Sequence, residues 1–220
     1  MSESHSSTFG AAHVLPLDND SGYDRSISIS STRISANLIQ VRGELIDTRQ
    51  DFEDPEKTIL VHNIVARITF QLSDNIITAA EFGLPKMAFE GMCEKLPTPA
   101  DELVGLNIFK GLSFKIRALY AGPRSCFHLS SLLQAMLPSC SQARCWNNDF
   151  KEMDEKLPSN LVPQAMDTMY KSVKNSCHAW SAKDGGITKD FEAGNYGPML
   201  ERTSPRLLGR WKQEDNEQYL

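Results

Sequence analysis

The chain lacks the cysteine pairs of a zinc ribbon. Its five cysteines, Cys93, Cys126, Cys140, Cys145 and Cys177, are irregularly spaced, and none belongs to a Cys-Xaa-Xaa-Cys pair. An odd number at such spacing suits reduced thiols better than a disulfide framework. No run approaches the roughly 18 apolar residues of a membrane span, and the opening "MSESHSSTFGAAHVLPLDNDSG" has neither a basic leader nor an apolar core. A cytoplasmic protein without membrane contact is therefore expected. Positive charge is also scarce: 23 Lys and Arg stand against 28 Asp and Glu, a formal net charge of -5. The densest basic stretches, "SPRLLGRWK" and "KGLSFKIR", are short and interleaved with apolar residues. Nucleic acid, which selects clustered positive charge, is not an expected partner. Missing too are a phosphate-cradling glycine loop, a dinucleotide fingerprint and a Gly-Xaa-Ser-Xaa-Gly elbow. Their absence counts against nucleotide, nicotinamide and serine-hydrolase chemistry. What is present is an ordinary globular composition, 40% hydrophobic and 23% charged, which can bury a core.

Period-two patterning dominates the first third. "RSISISSTRISANLIQVRGELIDT" alternates and is rich in β-branched residues, reading as two strands or one broken strand over 25–47. In "VHNIVARITFQL" His62, Ile64, Ala66, Ile68, Phe70 and Leu72 share one face, and "IITAAEF" returns after the turn "SDN". Strands are expected at 25–47, 59–72 and 76–82. Helical signals follow. "TPADELVGL" offers Thr98 as an N-cap, Pro99 at the first helical position and Asp101 three residues after the cap. "LSFKIRALY" is undecided between helix and extended connection. Leu129, Leu132, Leu133, Met136 and Leu137 follow helical spacing, and Pro138 is expected to end that helix. Strands first and helices later, without βαβ alternation, predict an α+β fold with an antiparallel sheet and helices packed on one face. The expected organisation is a disordered tail over 1–22, a single domain over 23–182, and a loosely packed extension over 183–220.

"RSCFHLSSLLQAML", residues 124–137, holds the main chemical signal. Cys126 and His128 fall in the first turn of the expected helix, where unpaired N–H groups and the helix dipole favour an anion and lower a thiol's pKa. A thiolate attacks an electrophile or binds a soft metal. The bland alternative is a small core cysteine beside a partly exposed histidine. His62 likewise reads either as a core-edge histidine satisfied by a backbone carbonyl or as an acid/base group. Cys177 and His178, in "NSCHAW", receive no role.

An ordered series of motifs runs from residue 25 to 140: "RSI", "GELIDTR", "VHNIVARITFQLSDNIITAAEF", "LPKMAFEGMC", "ELVGLNIFKG" and "SCFHLSSLL". In that order they resemble domain-of-unknown-function family 2889. Members typically read Gly-Cys-Thr-His-Leu at the last motif, whereas this chain has Ser125 for the glycine and Phe127 for the threonine, with a stretched Pro85-to-Cys93 spacing. The glycine-to-serine change matters most, since glycine permits a close backbone approach. The family implies no established activity. A fainter resemblance, to the NifU/SufU-type iron–sulfur scaffold fold, implies Cys93 beside Cys126 at one end of an antiparallel sheet.

Three functions compete. The first is a small-molecule enzyme, of lyase, isomerase or hydrolase type, acting on a carbonyl- or carboxylate-bearing metabolite. His62, His128 and Cys126 would be catalytic, and Arg117 or Arg124 would hold a carboxylate. In one variant a divalent transition metal sits on Cys93, Cys126 and His128 as a three-ligand open site. The second is a metal or cluster carrier using the same thiols. The third is a non-catalytic accessory protein. Under the first, His62, Cys93, Cys126 and His128 should converge in one concave pocket.

Overall fold

The alternating segments form a four-stranded antiparallel sheet in the order β1 (Tyr23–Ser35), β2 (Leu38–Gln50), β3 (Thr58–Gln71), β4 (Ile77–Lys86). Each strand pairs with the next, so the sheet is a meander of hairpins. The computed structural model describes residues 22–217 except 90, 97, 176–177 and 184–185. The expected tail over 1–22 lies almost wholly outside the described residues, as does Cys177.

One sheet face is buried. Ile39, Val41 and Leu45 of β2, Ile64, Ala66, Ile68 and Phe70 of β3, and Ile77 of β4 are fully enclosed. Two helices supply the other side of this core: α1 (Leu112–Tyr120) through Leu112, Ile116 and Tyr120, and α2 (Phe127–Arg144) through Leu129, Leu132, Leu133, Met136, Cys140 and Ala143. The undecided "LSFKIRALY" is thus helical, because burial at i, i+4 and i+8 rewards that periodicity.

Two expected helix boundaries differ. "TPADELVGL" makes only a single 3-10 turn, Ala100–Leu103, with Pro99 rather than Thr98 at its cap. Its backbone is drawn to the sheet instead: Gly105 N–H donates to Ile77 C=O and Ile77 N–H donates to Leu106 C=O, both at 2.9 Å. Pro138 does not stop α2, which continues to Arg144. Met136, Cys140 and Ala143 lie on one buried stripe across the proline, so packing outweighs the lost ladder bond.

Gly43 sets how closely α2 approaches β2. A Cβ there would stand 2.6 Å from Met136 Sδ and 2.9 Å from Leu132 Cδ1. Gly43→Val is expected to lower stability by about 1–3 kcal/mol through overpacking, read as a reduced urea midpoint at unchanged slope. An unchanged midpoint would show that α2 yields freely.

Contacts divide the chain after Ala143, not after residue 182 as expected. The reason is a second, separate hydrophobic cluster. Helices α3 (Phe150–Lys156), α4 (Val162–Val173), α5 (Gly186–Glu192), α6 (Gly197–Thr203) and α7 (Pro205–Glu217) carry it. Val162, Met166, Leu200 and Leu207 are fully buried, with Tyr170, Phe191 and Leu208 nearly so. The stretch expected to be a loose extension therefore contributes much of this core. Asp154 Oδ1 accepts hydrogen bonds from Arg206 N–H and Leu207 N–H at 3.1 and 3.3 Å, capping α7 from 52 positions away. The first half of α7 is anchored through Arg206, Leu207, Leu208 and Arg210, where a poorly anchored 205–220 was expected. No described helix is long and apolar enough to cross a membrane.

Candidate active site

The site begins with strand phase. Val41, Gly43, Leu45 and Asp47 alternate onto the core face of β2, so the same periodicity that buries Leu45 carries a carboxylate inward. Asp47 is fully buried. Its cross-strand partners are Arg25 on β1 and His62 on β3. Directly opposed side chains on one face are near neighbours, and here all three bond. Arg25 Nε donates to Asp47 Oδ1 at 2.6 Å and Nη2 donates to Oδ2 at 2.8 Å, a bidentate pair. His62 Nδ1 lies 2.9 Å from Oδ2. The ladder shifts register immediately beyond, pairing Asp47 with His62 but Thr48 with Leu60. Val61 is thereby left over as a bulge residue, a device that re-aims its neighbours.

The fourth member arrives from α2. Cys126 C=O accepts from Ser130 N–H at 3.0 Å, so the first turn opens at Cys126. His128 Nε2 lies 3.6 Å from Asp47 Oδ2, and its ring stacks on that of His62 with centroids 3.8 Å apart at 31°. Its other nitrogen, Nδ1, faces Cys126 Sγ at 3.8 Å. The close approach at Gly43 explains how the helix reaches. Leu132, one turn beyond His128, is seated against Gly43, and Asp47 lies four residues farther along β2. Ser125 causes no obstruction: its φ of -161° and ψ of -165° are extended backbone that serine adopts freely.

Charge then assigns protons. Burial pushes the Asp47 carboxyl up, but hydrogen bonds from Arg25 and Tyr23, the Arg25 charge and the His62 bond together hold it below its ordinary value. An ionised carboxylate only accepts, so His62 Nδ1 carries the hydrogen and Nε2 keeps its lone pair. The Tyr23 hydroxyl is raised by burial and by Asp47. His128 is lowered, first by burial and then by the His62 charge, against the pull of Asp47. Two imidazolium rings about 4 Å apart would repel by a gross ~4 kcal/mol at an effective dielectric near 20. Simultaneous protonation of both rings is therefore disfavoured.

These shifts set a pH dependence of stability. As pH falls through about 6.5 the unfolded chain protonates His128 while the folded chain, with its lowered value, does not. Native stability is lost across that window. Asp47 acts in the same direction, its contribution disappearing below about 3.9. The urea midpoint is expected to fall between pH 7.5 and 5.5, and His128→Gln should flatten that slope. A slope unchanged in the variant would contradict the assignment.

Of the sequence candidates, His62, Cys126 and His128 come together. Cys93 does not join them. Among the described residues the set able to offer three metal-ligand atoms within 4.8 Å of one another is Asp47, His62 and His128. Cys93 sits on a 3-10 turn after β4, half-buried, and Cys126 meets His128 on the nitrogen facing away from Asp47. The trio of Cys93, Cys126 and His128 is therefore not gathered around one ion position. Arg117 and Arg124 bond to α1 instead, Arg117 to Ser113 Oγ at 2.9 Å and Arg124 to Ala118 C=O at 3.1 Å. Arg25 is the guanidinium in the site. Asp47 and Arg25 were missed as chemical groups although both stand in the quoted motifs "GELIDTR" and "RSI". The available signal was a carboxylate in phase with buried strand positions.

The fold and the site together define an α+β domain whose sheet presents an arginine-held aspartate and two stacked imidazoles. The chain belongs to the family described as Protein of unknown function (DUF2889), whose model matches residues 23–142. That span contains Arg25, Asp47, His62, Cys93, Cys126 and His128. No curated protein and no solved structure matches the chain.

Proposed function

We propose that the protein is an enzyme that moves a proton on a small carbonyl- or carboxylate-bearing metabolite, in a lyase, isomerase or hydrolase reaction, with the cytoplasm as its setting. The observation carrying this reading is the bond from His62 Nδ1 to the fully buried Asp47, with His128 stacked on the same ring. Asp47 is a positioning residue: it fixes the tautomer and orientation of His62. His62 Nε2 is the general base, and His128 is the partner that exchanges the proton with the substrate's other end. Cys126, 3.8 Å from His128 Nδ1, positions that ring. A side chain in this role contributes roughly 10²- to 10⁴-fold, which requires reach to solvent-borne ligands. The histidine side chains retain 12% and 24% exposure, so both are partly accessible. The carrier reading wants thiols that converge on an ion, and Cys93 stands outside the cluster.

The test needs no prior substrate. The protein is incubated in deuterated water with a panel of oxo-acids, hydroxy-acids and unsaturated acids, and loss of carbon-bound proton signals is followed by NMR. Exchange or turnover of one class, absent with His62→Gln, is the expected result. No exchange in any class with folded protein would count against proton-transfer chemistry.

A further inference from the structure

We infer that Asp47, His62 and His128 also form a site for one divalent transition metal ion of the zinc type, and that its occupation silences proton transfer by the same imidazoles. The inference uses the residues of the proposed function and bears on how that site is regulated. It differs in ligand set from the thiol site expected from sequence.

Geometry carries it. Oδ2 of Asp47 has His62 Nδ1 at 2.9 Å and His128 Nε2 at 3.6 Å. Ligand atoms about 2.0–2.1 Å from a common ion are roughly 2.9 Å apart at right angles and roughly 3.3–3.4 Å apart at the tetrahedral angle. The first separation matches the right-angle spacing and the second slightly exceeds the tetrahedral one, and one ligand atom from each of the three residues lies within 4.8 Å of the other two. Small rotations of two imidazoles, both partly exposed, complete the set. Imidazole and carboxylate are the donors that zinc and its first-row neighbours accept, and three protein ligands leave the remaining position to water.

The surroundings supply the outer shell. Arg25 Nε, 2.6 Å from Oδ1, holds the carboxylate oxygen that an ion on Oδ2 would not use. Cys126 occupies the distal nitrogen of His128, where a metal-bound histidine ordinarily has its orienting partner. Arg25 Nη2, 2.8 Å from Oδ2, must give way, so the guanidinium opposes the ion. The balance is simple: the ion takes an Nδ1 lone pair of His62, whose hydrogen is carried on Nε2 instead, so the neutral ring changes tautomer and loses no net proton. No redox change is involved. Binding should release little net proton near pH 7.5 and weaken as pH falls, because a protonated imidazole has no lone pair to offer.

The experiment titrates zinc chloride into the full chain at pH 7.5, using competition with a chromophoric chelator and calorimetry in buffers of differing ionisation enthalpy. One equivalent bound with little net proton release is expected, weakened at least tenfold in Asp47→Asn, His62→Gln and His128→Gln and unchanged in Cys93→Ser. Arg25→Gln should bind more tightly, an effect that general loss of structure would not produce. Cobalt substitution guards against misfolded variants: the wild-type spectrum should lack an intense thiolate charge-transfer band. Zinc lost in Cys93→Ser, a strong thiolate band, or no stoichiometric binding would overturn the inference. Substrate exchange without zinc binding would overturn it alone, leaving the acid–base reading standing. Zinc held by these three residues without exchange for any substrate would uphold the metal site and remove the acid–base reading.

Discussion

Asp47→Ala is expected to destabilise the first domain by about 3 kcal/mol, the low end of the ~3–5 kcal/mol for removing one partner of a buried ion pair. The carboxylate is fully buried and answers three groups at once: a bidentate Arg25, His62 Nδ1 and the Tyr23 hydroxyl. Removing it leaves a guanidinium and an imidazole N–H without their acceptor. The low end applies because the Arg25 side chain keeps 28% exposure and can recover water. Asp47→Asn keeps the shape and one acceptor oxygen, so its loss should be smaller. Chemical denaturation monitored by tryptophan fluorescence would report the second unit and not the first, since the three tryptophans, Trp146, Trp180 and Trp211, all lie beyond Ala143. Hydrogen exchange at β2 and β3 amides reads the first domain directly. Equal protection in Asp47→Ala and wild type would mean the cluster contributes nothing to the fold.

His62→Gln and His128→Gln should each slow substrate proton exchange by about 10²- to 10⁴-fold with little loss of stability. Glutamine retains a hydrogen-bonding amide at similar reach but cannot cycle a proton. The rings are stacked 3.8 Å apart and share one carboxylate, so they should behave as a unit. The double variant should then be scarcely slower than the slower single one, since effects within a unit do not add. Multiplying defects would instead place the histidines in independent steps. A variant rate within threefold of wild type would remove that residue from the chemistry.

Strand phase was the most legible feature. The alternation in "VHNIVARITFQL" placed His62 in line with Ile64 and Ile68, and the structure keeps that face inward. The α2 stripe from Leu129 to Met136 was equally plain. Less visible was anything decided by distant partners. "TPADELVGL" has a good local helix start, yet its backbone pairs with Ile77. Pro138 is a strong local stop, yet Cys140 and Ala143 are buried beyond it. The polar 183–217 segment hid a core because Leu200, Leu207 and Leu208 are sparse and gain their value only against α4 and α5. Within the site, the titratable residues that invite attention from spacing were found. Asp47 and Arg25 are paired by sheet register over 22 positions, which no local spacing displays.

The central claim is that buried Asp47 fixes His62 as the Nδ1–H tautomer beside a His128 held below its ordinary pKa. Long-range proton–nitrogen NMR of selectively labelled histidine, followed from pH 8 to 5, reads both quantities. The expected spectrum at pH 7.5 shows His62 protonated at Nδ1 with a strongly deshielded proton that disappears in Asp47→Asn. His128 should remain neutral at pH values where a model histidine, with a pKa of about 6.5, is already half protonated. A His62 protonated at Nε2, a His62 signal indifferent to Asp47→Asn, or a His128 titrating at or above the ordinary value would contradict it.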